Sequence, residues 1–389
     1  MSGWVLSENI KKFESPNTHL IGVSDARQRV QTPVLVLDLN LLEKNIQIMA
    51  SFARGNSINL RPHAKTHKSI EIARLQMNAG SIGVCAATLG EAETLARGGI
   101  RNILITSPII GREKIARFLK LSENIGEISI VIDNIENFCE IELMAKSMGQ
   151  VVNALVALDI GTRRIGARSI NDAMSIVRHI SDSPTFYFLG IHAYAGNLQH
   201  VGKFTERKKK SELAHKILQE LITNLGKMDV PPKLITGAGT GTHEIDGTCG
   251  LYTELQTGSY IFMDSEYQSV QITGSRENPF KQSLFVATTV ISNNHSGFVT
   301  TDAGIKWFSM GGGPPEISPR GPKNAQYYFQ GDEHGKIVLP NHQYSPKIGE
   351  IFEIIPPHCD PTVNLYEHYH VFRGDTLVDI WDIQARGVI

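Results

Sequence analysis

The sequence predicts an α/β fold, a (β/α)8 TIM barrel followed by a C-terminal, mostly antiparallel β domain. From Thr32 to about residue 280, short β-branched runs alternate with helical patterns, as in parallel strands joined by crossover helices. Beyond that point strand-like segments are separated by glycine and proline, without a long helical pattern. A doubly wound open sheet is the alternative for the first part, since counting strands does not exclude it.

One strand and one helix open the alternating region. The strand V-L-V-L-D-L begins at Val34 and leads into a helical pattern that contains L-L-E-K-N-I-Q-I-M-A-S-F. Eight candidate barrel strands follow in about 240 residues, close to the length of a typical TIM barrel. In chain order they are N-L-R-P-H from Asn59, I-G-V-C-A-A from Ile82, I-L-I-T-S-P from Ile103, I-S-I-V-I-D from Ile128, A-L-V-A-L-D-I-G from Ala154, F-L-G-I-H-A-Y from Phe188, K-L-I-T-G-A-G from Lys233 and L-Q-T-G-S-Y from Leu255.

We expect the barrel to span 33–280 and the β domain 281–389, which residues 1–32 could join.

The composition excludes several function classes. Lys+Arg 38 against Asp+Glu 39 gives a net charge of -1, so no global field attracts nucleic acid or an anionic membrane. The four cysteines form no CxxC pair, and no run reaches the roughly 18 apolar residues of a membrane span. We therefore expect a soluble, cytoplasmic protein.

Chemically active residues fall at the predicted C-terminal ends of the barrel strands, where barrel enzymes carry their active sites. Lys65 follows the first strand, Arg164 follows the fifth, and His192 and Tyr194 lie on the sixth. Glycine-rich turns after strands seven and eight are positions where barrels bind phosphate through backbone N–H groups. A lysine facing a phosphate site favours pyridoxal 5'-phosphate (PLP) bound as a Schiff base. The turn residues are Gly239, Thr240, Gly241, Thr242, Gln256, Gly258, Ser259 and Tyr260.

Each feature alone also has a purely structural explanation. Lys65 would be an ordinary solvated lysine, and Arg164 could pair with Asp159. His192 could be a hydrogen-bonded core histidine, and glycine-rich loops are more often simple turns. Only the joint placement of these residues on one rim favours a cofactor site.

At these residues the sequence resembles the fold-type III PLP enzymes related to alanine racemase, and most closely the branch of D-threonine aldolases and D-serine dehydratases. The stretch R-P-H-A-K-T-H-K is similar to the PLP-lysine motif of that branch, which implies that Lys65 binds PLP and that Lys68 is a helix-surface residue. D-I-G-T-R-R-I-G-A-R resembles the segment whose arginine lies by the phenolic oxygen of PLP, the role that Arg164 would take. G-I-H-A-Y is similar to the strand that packs on the cofactor ring.

The two glycine-rich turns resemble the family's phosphate and pyridine-nitrogen segments. Gln256 then faces the pyridine nitrogen, although Tyr194 could also reach that side. A neutral amide does not keep that nitrogen protonated as a carboxylate does, so the ring would be a weaker electron sink.

The segment I-P-P-H-C-D-P is a candidate metal site, although an H-C-D triplet taken alone would most often have no function. His358 and Asp360 flank Cys359, and in an extended segment they would share one face and meet one ion, with the thiol pointing away. Imidazole plus carboxylate favours Mn²⁺ or Mg²⁺ over Zn²⁺. The segment resembles the family's C-terminal metal motif, which is H-x-D in the aldolases and H-x-C in the dehydratases.

The resemblance implies a PLP- and divalent-metal-dependent aldolase that cleaves D-β-hydroxy-α-amino acids to glycine and an aldehyde. His200, six positions after Tyr194, resembles the histidine that helps to deprotonate the substrate β-hydroxyl, although alone it would be an exposed loop residue. The alternatives are a PLP/Zn-dependent D-serine or 3-hydroxyaspartate dehydratase, then an amino-acid racemase, then a non-catalytic PLP-binding protein. The family also implies a homodimer that binds a small-molecule D-amino acid.

Overall fold

Two β-sheets organise the protein, for which a computed structural model describes residues 14–275, 277–340 and 346–389. The first is a parallel sheet of eight strands with helices around it, and the second is a mostly antiparallel sheet of nine strands. This architecture confirms the predicted fold class.

All eight candidate barrel strands are present, and they form the parallel sheet. Their hydrogen-bonded order is β2-β9-β8-β7-β6-β5-β4-β3, so neighbours in space are neighbours in the chain except where the first strand, β2, pairs with the last, β9. The strands of this sheet are β2 Asn59–Leu60, β3 Val84–Ala86, β4 Ile103–Ile105, β5 Ile128–Ile132, β6 Val152–Ala157, β7 Phe186–Ala193, β8 Leu234–Gly237 and β9 Glu254–Leu255.

The two end strands of this sheet also meet. The backbone N–H of Ile82 donates to Leu60 O at 2.9 Å, and that of Cys85 donates to Pro62 O at 2.8 Å. An isolated parallel bridge joins His63 to Cys85. The sheet therefore curls back on itself, and the carboxyl ends of its strands point toward one rim.

Helices connect the strands, and polar side chains cap several of them. Asp38, Ser69 and Thr88 each accept a hydrogen bond from a backbone N–H in the first turn of the following helix, which satisfies a donor that has no partner inside the helix. Among the described residues, no helix combines the length and hydropathy needed to cross a bilayer. The helices are α1 Leu39–Gly55, α2 Ile70–Asn78, α3 Leu89–Arg97, α4 Arg112–Ile125, α5 Ile135–Met148, α6 Ile170–Asp182, α7 Phe204–Lys227, α8 His243–Thr248, α9 Ser265–Gln268 and α10 Cys359–Val363.

The second sheet joins the beginning and the end of the chain. Strand β1, Val34–Asp38, lies near its centre, antiparallel to β10 and parallel to β16. The other strands are β10 Leu284–Ser292, β11 Phe298–Thr301, β12 Glu316–Ile317, β13 Gln326–Phe329, β14 Gly335–Val338, β15 Ile351–Ile355, β16 His368–Arg373 and β17 Thr376–Asp382.

The position of β1 differs from the sequence interpretation, which included residues 34–38 in the barrel range 33–280. All five residues of β1 are buried, as expected for an apolar strand with neighbours on both sides. Leu20 and Val30 pack in the same hydrophobic cluster as β1, so this part of the N-terminal segment lies against the second sheet. Residues 1–13 lie outside the described residues, and the domain boundaries stay a prediction.

Candidate active site

The carboxyl ends of the barrel strands open into a cavity of about 370 Å³. The barrel and the segment after β15 both contribute to its wall, which brings most of the sequence-predicted site residues together. A larger cavity of about 600 Å³, lined by Arg27, Arg320 and Glu353, contains none of them. The predicted residues that line the smaller cavity are Lys65, Arg164, His192, Tyr194, His200, Gly239, Thr240, Gln256, Gly258, Ser259, His358 and Asp360.

Lys65 lies in a single 3-10 turn, Ala64–Thr66, that follows β2. Its ammonium group donates a hydrogen bond to the carboxylate of Asp360 in the first turn of α10. Burial opposes the charge on the lysine, but the Asp360 carboxylate outweighs it and holds the pKa of Lys65 above its ordinary value. Burial alone would raise the pKa of Asp360, yet Lys65 and His358 hold it well below its usual range.

Lys68 does not lie on a helix surface, so that part of the sequence interpretation was wrong. It occupies the turn before α2 with φ 52°, and its Nζ donates to Glu91 Oε1 at 2.5 Å. The Glu91 carboxylate is buried, so Lys68 is held away from the cavity by an ion pair. Of the two lysines in the motif, only Lys65 lines the cavity.

The glycine-rich turns come close to neighbouring atoms in a way that only glycine allows. A Cβ atom on Gly258 would lie 2.5 Å from Thr66 Oγ1, and one on Gly239 would lie 2.4 Å from Gln199 Oε1. Thr66 Oγ1 is buried and has no hydrogen-bond partner among the described residues. Bare backbone at Gly239 and Gly258, an unpaired hydroxyl and the nearby Lys65 fit the phosphate and aldehyde ends of PLP.

Three predicted residues lie behind the cavity wall. The N–H of Gly241 donates to Gln199 Oε1 at 2.9 Å, and Thr242 Oγ1 accepts from the N–H of Gly239 at 3.2 Å. Tyr260 donates its own N–H to Thr240 Oγ1. The last contact joins the two turns and the others brace the first turn, so Gly241, Thr242 and Tyr260 shape the cavity without lining it.

Arg164, Tyr194, His192 and Gln256 form one side of the cavity. The Arg164 guanidinium lies 5.8 Å from the centre of the Tyr194 ring, while the Asp159 carboxylate accepts backbone N–H groups. Burial lowers the pKa of His192 to about 4, which favours its neutral form. Gln256 Nε2 donates to Thr236 Oγ1 at 2.8 Å.

The predicted metal segment is helical, not extended. Helix α10 begins at Cys359, with His358 as its N-cap, so the argument that alternate residues share a face does not hold. Pro361 explains the difference, because proline is tolerated in the first turn of a helix, and aspartate is favoured there by the helix dipole. His358 and Asp360 nevertheless both line the cavity.

The Cys359 thiol does not point away from the other donor atoms, as the sequence interpretation expected. Its sulfur lies in a group with Asp264 and His358 whose donor atoms are all within 4.8 Å of one another. Cys359 is fully buried and does not line the cavity. Burial raises the pKa of the thiol well above its ordinary value.

Asp264 fixes the orientation of His358. Its Oδ2 lies 2.9 Å from His358 Nδ1 and accepts the N–H of Cys359 at 2.9 Å, while Oδ1 accepts the N–H of Tyr267. A histidine held by a carboxylate through Nδ1 presents Nε2 to a metal. Asp264 therefore holds the imidazole from behind, while Asp360 lines the same cavity as His358 and pairs with Lys65.

His200 completes this end of the cavity. Its Nδ1 lies 3.2 Å from Glu266 Oε1, and its ring packs edge-on against Tyr267 with the ring centres 4.5 Å apart. The His358 ring centre lies 6.0 Å away. Burial lowers the pKa of His200, so the imidazole favours the neutral form that accepts a proton.

Several cavity residues were missed in the sequence. Active-site residues follow the strands of a barrel. This rule also points to T-S after the third strand and to D-S-E-Y after the eighth. The site predicted from the sequence ends at Tyr260 and omits the acidic residues four and six positions later. The missed residues are His63, Thr106, Ser107, Gln199 and Tyr267 in the wall, with Asp264 and Glu266 behind the histidines.

Comparisons with known proteins agree with this geometry. Residues 37–266 match the family described as "Alanine racemase, N-terminal domain", and residues 283–372 match "Putative serine dehydratase domain". The 3-hydroxy-D-aspartate aldolase of Paracoccus denitrificans (strain Pd 1222) is 33% identical over 362 residues, 92% of each chain. The D-threonine aldolase of Arthrobacter sp is 35% identical over 363 residues, 93% of this chain and 94% of that protein.

A solved structure and a more distant relative complete the comparison. The crystal structure of D-threonine aldolase from Filomicrobium marinum superimposes with a TM-score of 0.89 at 33% identity, covering 92% of this chain and 97% of that one. The D-threo-3-hydroxyaspartate dehydratase of Delftia sp. (strain HT23) is 23% identical over 74% of each chain. Similarity is thus higher to these aldolases than to this dehydratase.

Proposed function

This chain belongs to the alanine racemase N-terminal domain family, together with D-threonine and 3-hydroxy-D-aspartate aldolases, and from that membership we propose that it cleaves D-β-hydroxy-α-amino acids to glycine and an aldehyde. It is a PLP-dependent carbon–carbon lyase in this proposal. One observation carries it: a single cavity joins the lysine after β2, the neutral His200 and the imidazole–carboxylate pair of α10.

Two bound groups supply chemistry that side chains lack. PLP, when bound, withdraws the electron pair left on Cα as the Cα–Cβ bond breaks. A divalent metal, when bound, polarises the β-oxygen and makes its proton easier to remove. Lys65 and Arg164, with the turns at Gly239 and Gly258, would hold PLP, and His358 with Asp360 would hold the metal, Mn²⁺ or Mg²⁺ in preference to Zn²⁺.

The protein's own residues orient the substrate and move its protons. His200 accepts the proton of the β-hydroxyl, and Glu266 behind its Nδ1 stabilises the imidazolium that forms. The Cα–Cβ bond then breaks and the aldehyde leaves with the β-oxygen. Glycine forms when Cα receives a proton, and Lys65, the one lysine among the described lining residues, is the amine that delivers it.

Dehydration of D-serine or 3-hydroxyaspartate is the second candidate. The Cys359 sulfur lies within 4.8 Å of donor atoms of Asp264 and His358, and the C-terminal part of the chain matches a family named for a dehydratase. A thiolate ligand would favour Zn²⁺ and place the metal differently. Asp360 lines the cavity and Cys359 is not among its described lining residues, which supports the aldolase instead.

The products distinguish the two reactions. We expect the purified holoenzyme to form glycine and acetaldehyde from D-threonine, without releasing pyruvate and ammonia from D-serine. Chelation should abolish cleavage and leave the visible band of bound PLP intact, because Lys65 anchors PLP separately from the metal. Added Mn²⁺ or Mg²⁺ should restore cleavage. Zn²⁺-dependent release of pyruvate and ammonia would establish the dehydratase.

Lys65→Ala tests the cofactor lysine, and Lys68→Ala is its matched control. The first variant should lose both the visible band and the activity, whereas the second should keep the band because Lys68 pairs with Glu91 outside the cavity. Borohydride reduction that attached PLP to Lys68 would contradict the assignment.

His200→Ala tests the proton acceptor. We expect kcat to fall about a hundredfold, the usual size of a general-base contribution, while affinity for the unreactive D-2-aminobutyrate stays unchanged. Stopped-flow measurement of a single turnover on D-threonine separates this loss from slow product release. Equal losses in binding and turnover would assign His200 a role in shaping the cavity only.

We further propose a cytoplasmic homodimer. The four cysteines are free thiols, as a reducing compartment favours, and Met310 and Leu365 are large exposed apolar side chains near the segment that carries His358. In this arrangement the second sheet of one subunit covers the cavity mouth of its partner. Light scattering of the purified holoenzyme measures the subunit number directly.

A further inference from the structure

Arg207 is a fully buried arginine that has no part in the mechanism described so far. It is the fourth residue of α7, it is 0% exposed, and it is not among the described residues that line the cavity. Its guanidinium forms no ion pair with a carboxylate of the described residues, and its Nε has no hydrogen-bond partner among them. Charged side chains are rarely buried without a partner of opposite charge, because the loss of water is costly. The remaining contacts of this side chain therefore have to offset its burial.

The guanidinium donates hydrogen bonds to three backbone carbonyls on two separate segments. Nη1 donates to Val201 O, the carbonyl of the residue after His200. Nη2 donates to Gln271 O and, at 3.1 Å, to Ile272 O. Helical side chains point toward the N-terminus of their helix, so Arg207 reaches back to the loop that precedes α7. One side chain thus joins the loop of His200 to the second segment.

The second segment adjoins the partners of His200. It follows α9, which carries Glu266 and Tyr267, and both of these side chains contact the His200 imidazole. The backbone N–H of Gln271 also donates to Gly202 O at 2.9 Å, so a backbone hydrogen bond joins the same two segments. The loop of the proton acceptor is therefore held against the part of the chain that orients its imidazole.

The other side of His200 is held by Gln199. Its amide oxygen accepts the N–H of Gly241 at 2.9 Å, and its amide nitrogen donates to Thr242 Oγ1 at 3.1 Å. His200 thus lies between one anchor on the turn after β8 and a second anchor on the segment after α9. A general base has to lie within hydrogen-bond reach of the proton that it accepts, and a displacement of about 1 Å can cost about a hundredfold in rate.

We propose that Arg207 is a positioning residue, which directs the His200 imidazole toward the substrate β-hydroxyl through the backbone of Val201 and makes no contact with the substrate. The proposal rests on the aldolase function proposed above, and it adds a residue outside the cavity to that reaction. The planar guanidinium donates in a fixed fork and can span both segments, whereas the ammonium of a lysine is a single point charge. Arg207→Lys therefore keeps the charge and loses the span.

Turnover of Arg207 variants by the Mn²⁺-loaded holoenzyme tests the proposal. Arg207→Met should lower kcat for D-threonine about thirtyfold, because the base is misplaced and not removed. The dissociation constant of the unreactive D-2-aminobutyrate and the visible band of bound PLP should stay unchanged. Arg207→Lys should lose nearly as much turnover. Arg27→Lys is the matched control, since Arg27 is a buried arginine of the second sheet that pairs with Glu353, and it should keep the wild-type kcat.

A double variant distinguishes positioning from general damage to the fold. If Arg207 acts through His200, adding Arg207→Met to His200→Ala should lower kcat by less than about twofold further, because the two residues act as a unit. A further thirtyfold loss in the His200→Ala background would overturn the proposal. Wild-type kcat in Arg207→Lys or in Arg207→Met would overturn it as well.

Hydrogen–deuterium exchange of the wild-type holoenzyme decides the question if the Arg207 variants fail to fold. The amide of Gln271 should be protected as strongly as the amides of α7, and exchange at the rate of an open loop would overturn the proposal. Failure of the proposed function is visible separately. Wild-type protein that forms no glycine from D-threonine refutes the aldolase before any variant is compared, whereas wild-type activity that survives Arg207→Met refutes only the positioning role.

Discussion

Two histidine–aspartate pairs with similar nitrogen–oxygen distances lie in different parts of this molecule. His215 Nε2 on α7 lies 2.7 Å from Asp246 Oδ1 on α8, outside the cavity. His358 Nδ1 lies 2.9 Å from Asp264 Oδ2 in the wall behind the cavity. Both aspartates are almost fully buried.

The surroundings of each pair determine its role. His215 is 12% exposed, and its one carboxylate partner gives a closed ion pair that joins two helices. His358 is 24% exposed, has a second carboxylate at 3.9 Å, and keeps Nε2 toward a cavity that also contains His200 and Asp360. The same contact thus stabilises the fold at one place and orients a ligand atom at the other.

Removing each histidine should separate the two roles most clearly. His358→Ala should lower kcat/KM by about a thousandfold or more, because metal polarisation contributes several kcal/mol to such reactions. Its free energy of unfolding should fall less than that of His215→Ala, because Asp264 still accepts the backbone N–H groups of Tyr267 and Cys359. His215→Ala should instead lower the free energy of unfolding by about 3 kcal/mol, since it leaves Asp246 buried without its partner.

Urea unfolding and the glycine assay measure both effects on the same samples. The two roles are assigned wrongly if His215→Ala loses activity while it stays folded at the assay temperature, or if His358→Ala unfolds at a lower urea concentration than His215→Ala.

A pH series should sharpen the comparison further. Burial opposes the charge on His215, but the Asp246 carboxylate outweighs it and raises the pKa of His215 from 6.5 to about 10. Because the folded-state pKa is the higher one, the stabilisation is fully present below pH 6.5 and is lost as the pH rises through about 10. Asp246→Asn should therefore lower the unfolding free energy by about 2 kcal/mol at pH 7 and by much less at pH 10.5.

Urea unfolding of the wild type and of Asp246→Asn at pH 7 and pH 10.5 measures this effect. Other groups titrate in both proteins alike, so their contributions cancel in the difference between the two free energies of unfolding. A difference that stays constant with pH would mean that the charge on His215 does not stabilise the fold.

The smallest effect is expected beside the second pair. Cys359→Ser changes a buried side chain by little volume, so stability should fall by less than about 1.5 kcal/mol, and the metal preference should not change. Calorimetric titration of the apo-metal protein with Mn²⁺ and Zn²⁺ measures that preference. A large loss of Zn²⁺ affinity in Cys359→Ser would identify the thiol as a ligand.

The barrel could be predicted from the sequence because its signals are local. Strand β5, for example, is an apolar run buried at all five positions, and a cap such as Thr88 marks the start of the following helix. The position of Lys65 at a strand end followed from the same pattern. The partner of β1 could not be predicted, because an apolar strand does not specify which distant strand it will pair with.

The metal end was predicted less well, since its geometry depends on contacts between distant segments. The H-C-D triplet reads equally as a strand or as the first turn of a helix, and Asp264 reaches Cys359 and His358 only in the folded protein. Nothing in the local sequence distinguishes Asp264 from Asp246. They differ in the folded protein, where the histidine held by Asp264 lines the cavity and the histidine held by Asp246 does not.

The place of β1 in the second sheet also sets the order in which the protein can be built. Leu35 pairs with Val286 on one side and with Tyr369 on the other, so the barrel sequence is inserted between strands of that sheet. During synthesis the apolar V-L-V-L segment leaves the ribosome first and receives its last neighbour when the chain is nearly complete, on the order of tens of seconds later. Until then it is an unpaired, aggregation-prone edge that the growing barrel or a chaperone has to cover.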